Sequence, residues 1–199
     1  MKTHPIVLVG GAALLALGMC YLAAGAADGD KDPSQVIQKV ADAIEKGDTA
    51  QAKKMAEVLA KSAELEPVMD LMSLRKASSK KKTFGVGDTP GKITPDGIEA
   101  KVMGLGKKAL QPKQLETESP ALVKMAYRVA AISKVAQAKV PEKDEGMKKK
   151  KDWIEWSQGM EMTALELANA AKAKDTAKVK TAAARLNSNC NNCHGTFRD

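Results

Sequence analysis

The chain closes on Cys190-Asn191-Asn192-Cys193-His194, two thiols and an imidazole at the end of an alanine-rich run. On a helix, positions three and four apart share a face, so all three side chains can meet one flat partner. Val179, Ala183, Leu186, Cys190, Cys193 and Phe197 keep that step, which puts the sulfurs on a stripe facing a helical core. A fold that satisfies this segment has to pack helices around whatever the thiols hold.

The spacing Cys-x-x-Cys-His is that of a c-type haem attachment box, with the two thiols as thioether sites for one haem c per chain and His194 as the iron ligand. Three other uses of the same residues fit less well. A redox-active thiol pair normally opens a helix after a strand, where the helix dipole lowers a thiol pKa, whereas this pair closes a helix. A structural zinc site needs four ligands, and a carboxylate would have to complete this one. A disulfide between residues three apart closes too small a loop to constrain the unfolded chain much.

The other end of the chain indicates export. Lys2 precedes an uncharged run from Pro5 to Ala27, and Ala24-Gly25-Ala26 reads as a cleavage site, so residues 1–26 are expected to be a signal peptide and the mature protein periplasmic or otherwise exported. If uncleaved, the run is long enough to anchor the chain in a membrane, the one route to membrane association that the sequence offers. Cys20 and His4 fall in the discarded segment; Met19 stands where lipoprotein processing at Cys20 would need a small residue. His194 is then the sole histidine of residues 27–199, which excludes two-histidine ligation within one chain.

The remaining 170 or so residues suffice for a single domain, 27–199, with a real core. Aromatic residues are only 3% of the chain and alanine is abundant, which suits close-packed helices better than a β-sandwich. The net charge of +8 loses only Lys2 on cleavage, so the protein stays basic. Lysines cluster at Lys80, Lys81 and Lys82 and at Lys148 to Lys151; such runs are ordinarily solvated faces, and their functional reading is docking of an acidic redox partner or anionic lipid. With so few aromatics to stack on bases, nucleic acid is not an expected partner.

Helix signals divide the chain. Asp32-Pro33 opens a helix to about Lys46, with Val36, Ile37, Val40, Ala41 and Ile44 on one face. Gly47-Asp48 recaps the chain for a second helix from Thr49 to Leu65, burying Ala52, Met55, Ala56, Leu59 and Ala63. After Pro67, Val68, Met69, Leu71, Met72 and Leu74 suggest a further short helix up to the basic run. Residues 83–117, punctuated by glycines and prolines, read as a long loop insert with one or two helical turns between Asp96 and Met103. They match no phosphate-binding loop, and a surface excursion is the simpler reading beside that of a lid over a haem edge. Helices are then expected over Ser119–Lys139 (Leu122, Met125, Val129, Ile132 and Ala136 inward), over Asp144–Lys172 (Trp153, Trp156, Met160, Thr163, Leu167 and Ala170 inward), and from Asp175 to the end. Asp-Thr-Ala occurs at both Asp48 and Asp175, which reads as shared capping chemistry.

The terminal box, Phe197-Arg198 after it, the Asp175 to Asn189 helix before it and Trp153-Ile-Glu-Trp156 together resemble the class II cytochromes c, the cytochrome c′ and c556 group. The resemblance is specific over roughly residues 148–199. It implies an all-α protein, an antiparallel four-helix bundle, here with an extra N-terminal helical segment and the Gly/Pro-rich insert. It also implies Cys190 and Cys193 as thioether sites, His194 as proximal ligand and Arg198 near a haem propionate. The group's distal position is either a methionine, for electron transfer, or an apolar residue, leaving iron open to small gases; Met55, Met69, Met72, Met103 and Met125 are all available. The leading expectation is an electron carrier, not an enzyme, with nitric oxide or carbon monoxide binding as the alternative. Pairing as a homodimer is compatible with an exposed apolar stripe.

Overall fold

Alanine-rich runs with apolar residues at helical spacing pack only by laying one face on a neighbour, and here they give an all-helical molecule. The computed structural model describes residues 32–76 and 82–198. The signal peptide expected at 1–26, with His4 and Cys20, and Lys80 and Lys81 of the first basic run, lie outside the described residues. The helices are α1 (Pro33–Glu45), α2 (Thr49–Ser62), α3 (Leu65–Asp70), α4 (Ile98–Lys107), α5 (Pro112–Ala138), α6 (Lys150–Lys172) and α7 (Thr176–Phe197), with no strand among the described residues. None of them is long and apolar enough to cross a membrane.

The four-helix bundle is α4 to α7. Its handing-on is antiparallel: at one end of the α5 and α6 pair the Ser119 hydroxyl donates to the Ala171 carbonyl at 2.6 Å, and at the other Trp153 Nε1 donates to the Ala136 carbonyl at 2.8 Å. α6 and α7 run antiparallel too, joined by Glu166 with Arg185 and by Trp153 with Phe197. α7 packs on α6 and α4, while α1 and α2 form a hairpin laid on the outer side of α5. The expected α5 stripe Leu122, Met125, Val129, Ile132 and Ala136 is buried, but so are Ala126, Ala130, Ala131, Ser133 and Val135. Covered from two sides, α5 is a central helix with more than one apolar face.

Capping chemistry sets the junctions. The carboxylates of Asp48 and Asp175 each accept from the backbone N–H three residues on, at Gln51 and Lys178 (both 3.0 Å). They satisfy donors that a helix start leaves orphaned. The two Asp-Thr-Ala segments are thus the same device used twice.

Several boundaries differ from the sequence expectation, among them the end of α2 at Ser62 instead of Leu65 and that of α3 at Asp70, well short of the basic run. The loop expected over 83–117 is helical in its second half: α4 fills Ile98–Lys107, and α5 begins at Pro112. Gly104 and Gly106 are helical, not breaks, and a Cβ on Gly106 would lie 2.9 Å from Ala184 Cα, so this glycine permits the close approach of α4 to α7. α3 starts before Pro67, because a proline in the first helical turn forfeits no internal hydrogen bond. α6 starts at Lys150, not near Asp144, since residues 144–149 form a tight turn with Gly146 at φ +53°. The true loop, 84–97, is fastened to the N-terminal side of the bundle. Asp96 accepts from Arg75 Nε (2.9 Å), Val86 N–H (3.0 Å) and Gly91 N–H (2.8 Å), while Asp88 pairs with Lys124 of α5 (2.7 Å).

Candidate functional site

α7 runs unbroken through the terminal box, from the Asp175 cap to Phe197, so Cys190, Cys193 and His194 lie on consecutive turns of one helix. Val179, Ala182, Ala183 and Leu186 are buried, and the stripe continues into Cys190, which is partly buried against the core. Cys193, His194 and Phe197 are half-buried. Both cysteines are free thiols. Burial pushes the Cys190 thiol up to about 12, with the Glu99 carboxylate on α4 and Cys193 adding to the effect. Burial likewise raises the thiol of Cys193. Thiolate is therefore suppressed at both positions, the opposite of an activated redox dithiol.

The walls of the site come from three helices. Phe197 stands edge-on to both indoles of α6, 4.9 Å from Trp153 and 5.9 Å from Trp156 between ring centroids. Trp153 is buried; Trp156, expected inward, is half-buried. Just before the box, Asn189 donates to Thr163 Oγ1 at 3.3 Å and packs on Gly159, where an added Cβ would sit 3.0 Å from the Asn189 amide oxygen. That contact fixes α7 against α6 one residue from Cys190. Nothing in the Asn-Ser-Asn segment signals it, although Gly159, an unfavourable residue in a helix interior, marks a close approach. Glu99 was also beyond sequence reasoning, because its proximity to Cys190 depends on α4 being packed against α7.

Arg198 caps α7, its N–H donating to the His194 carbonyl at 3.2 Å, and its side chain is exposed. The methionines separate clearly. Met72 and Met125 are buried in the core, Met55 and Met69 lie on α2 and α3, and Met103 is 44% exposed on α4, the helix packed against α7.

The donor set suits haem and little else. Two free, protonated thiols and an imidazole share one helix, and Phe197 at its end packs on Trp153 and Trp156. Among the described residues no group of three or more His, Cys, Asp or Glu side chains is placed to hold a metal ion, so a structural zinc centre lacks its ligands. No curated protein and no solved structure matches the chain. Residues 100–198, from α4 to the cap of α7, match the family model described as Cytochrome C′, and through this stretch the chain belongs to the cytochrome c′ family of haem-binding c-type cytochromes.

Proposed function

We propose that the protein is an exported c-type cytochrome that carries one covalently bound haem and passes single electrons between partner proteins, as a carrier and not as an enzyme. The observation that carries this reading is the terminal box itself: Cys190 and Cys193 as free protonated thiols on α7, with His194 beside Cys193 on the same helix, whose end packs through Phe197 on Trp153 and Trp156. When bound, haem supplies a one-electron ferric/ferrous couple.

The chain's own residues supply the rest. Cys190 and Cys193 are the thioether sites, and their suppressed thiolate keeps them from closing into a disulfide before use. His194 is the proximal ligand, held in the last turn of a helix whose end is clamped by Phe197. Arg198, exposed at that end, is the candidate for pairing with a propionate. Met103 is the candidate sixth ligand, because it alone of the five candidates lies on the helix packed against α7 and outside the core. A thioether held there would raise the reduction potential and keep small gases from the iron, which favours electron transfer over gas binding.

The test is a pyridine haemochrome spectrum of protein matured in a host that attaches haem, followed by ferric and ferrous spectra with and without carbon monoxide. The expected result is a two-thioether haem signal, a methionine-to-iron band lost in Met103→Ala, and no carbon monoxide shift in the wild type. His194→Ala is expected to retain the thioether signal and lose normal ligation. A bare polypeptide would overturn the haem reading, and rapid carbon monoxide binding to the wild type would give gas binding its place.

A further inference from the structure

We propose that the turn joining α5 to α6 is the docking site for an acidic one-electron partner protein, with Met147 as its apolar anchor and the surrounding lysines as its charged rim. This inference rests on the electron-carrier reading and names the surface through which that carrier meets its partner.

The turn is rigid. Lys148 N–H donates to the Glu145 carbonyl at 2.7 Å and Glu145 N–H to the Lys148 carbonyl at 3.0 Å, closing a two-residue loop with Gly146 at φ +53°. The Asp144 carboxylate accepts from Lys150 N–H at 2.9 Å and ties the loop to the start of α6. On this mount Met147 is 82% exposed, more than any other large apolar side chain among the described residues. A large side chain held in water on an ordered turn loses little further backbone freedom on binding, and methionine adapts readily to an apolar pocket.

Lys143 precedes the anchor and four consecutive lysines, Lys148 to Lys151, follow it; over residues 142–152 these five face four carboxylates, Glu142, Asp144, Glu145 and Asp152. Lys143 pairs with Glu145 at 3.1 Å and Lys149 with Asp144 at 3.8 Å, but all four side chains are largely exposed, where pairing neutralises little, and positive charge is concentrated on the Lys148 to Lys151 side of the anchor. Such a rim steers an acidic protein and sets its register. One apolar anchor on a tight turn suits a protein pocket; a lipid surface would call for a broad apolar face to bury. The site is also in the right place. Trp153, in the first turn of α6, touches Phe197, three residues from His194, so a partner seated on the turn lies at the end of the bundle that carries the box.

The experiment uses haem-loaded full chain with reduced flavodoxin, an acidic one-electron protein, as probe. With carbon-13 methyl-labelled methionine, the Met147 signal is expected to shift on titration while that of Met162, also exposed, stays in place. In stopped flow at low salt, Lys149→Glu with Lys151→Glu should lower the second-order rate constant about tenfold and flatten its salt dependence. Met147→Ala should lower it about fivefold with the salt dependence unchanged. An α2 pair, Lys53→Glu with Lys61→Glu, should change it less than about twofold. An unmoved Met147 signal, or an equal loss from the α2 pair, would overturn the site. The titration also runs without haem, so a preparation lacking haem defeats the electron-carrier reading while docking is still decided.

Discussion

The indole of Trp153 meets the ring of Phe197 edge to face, 4.9 Å between centroids and 85° between planes, while its Nε1 donates to the Ala136 carbonyl at 2.8 Å. One side chain of α6 therefore ties the end of α5 to the last turn of α7, the turn that carries His194. In a chain with so few aromatic residues, three of them converge at the end of the bundle where the box lies.

Removing Phe197 tests that clamp. Phe197→Ala deletes edge-to-face contacts with Trp153 and Trp156, each worth about 1 kcal/mol beyond simple burial, so unfolding stability should fall by about 2 kcal/mol or more. Urea denaturation followed by tryptophan fluorescence reads this directly. An unchanged midpoint would mean that the rings touch without holding the helix end.

Two glycines of one helix should respond in opposite senses. Gly104 has nothing within 4 Å of an added Cβ, so Gly104→Ala should stabilise the protein by up to about 1 kcal/mol through helix propensity. Gly106→Ala would set a methyl group 2.9 Å from Ala184 Cα, a backbone atom that cannot swing aside, and should destabilise by about 1–3 kcal/mol as α4 is forced off α7. Thermal unfolding of the two variants side by side checks the sign of each.

These glycines also show where sequence reasoning stops. In α5, α6 and α7 the 3,4 spacing of Leu122, Met160 or Leu186 reports burial directly, because those positions face the interior of the bundle. The box is legible for the same reason: its chemistry is compressed into five consecutive residues. α4 is not legible, since Gly104 and Gly106 look like breaks until α7 is known to lie against them. Nor is the start of α5, where Pro112 serves as a first-turn residue and Pro120 is carried on an exposed side of the helix. Asn189 with Gly159, and Glu99 with Cys190, are juxtapositions of separate helices that leave no local pattern.

A buried ion pair stands behind α4. Lys101 Nζ lies 2.6 Å from Glu118 Oε2 and 3.2 Å from the Thr94 carbonyl, with both side chains nearly excluded from water. Breaking such a pair strands the surviving charge, so Lys101→Met should cost about 3–5 kcal/mol. Lys101→Met combined with Glu118→Leu should recover most of that loss, because two apolar side chains of similar volume leave no buried charge unpaired, and the exposed Thr94 and Gln114 can turn to water instead. Urea midpoints of the single and double variants measure it. A double variant as unstable as the single would assign the loss to packing instead of charge.

The thiols make a pH-dependent prediction for the haem-free chain. Burial raises the pKa of Cys190 to about 12 in the folded protein, and that of Cys193 is raised as well. Below the ordinary thiol pKa both folded and unfolded states keep these protons, so the folded state loses nothing. Between about pH 9 and 12 the unfolded chain ionises Cys190 while the folded chain does not, so the unfolded state binds fewer protons and stability falls as pH rises. Haem-free protein should therefore show a declining urea midpoint through this window, and Cys190→Ser with Cys193→Ser should weaken the decline, since hydroxyls do not ionise there. Alkylation gives an independent reading, because only thiolate reacts: at pH 8 iodoacetamide should label Cys190 far more slowly than a free cysteine, and Cys193 at an intermediate rate. Mass spectrometry of quenched samples resolves the two sites. Equal, fast labelling at both would show that the end of α7 is not packed against the core before haem is attached, and that the box is presented open to the attachment machinery.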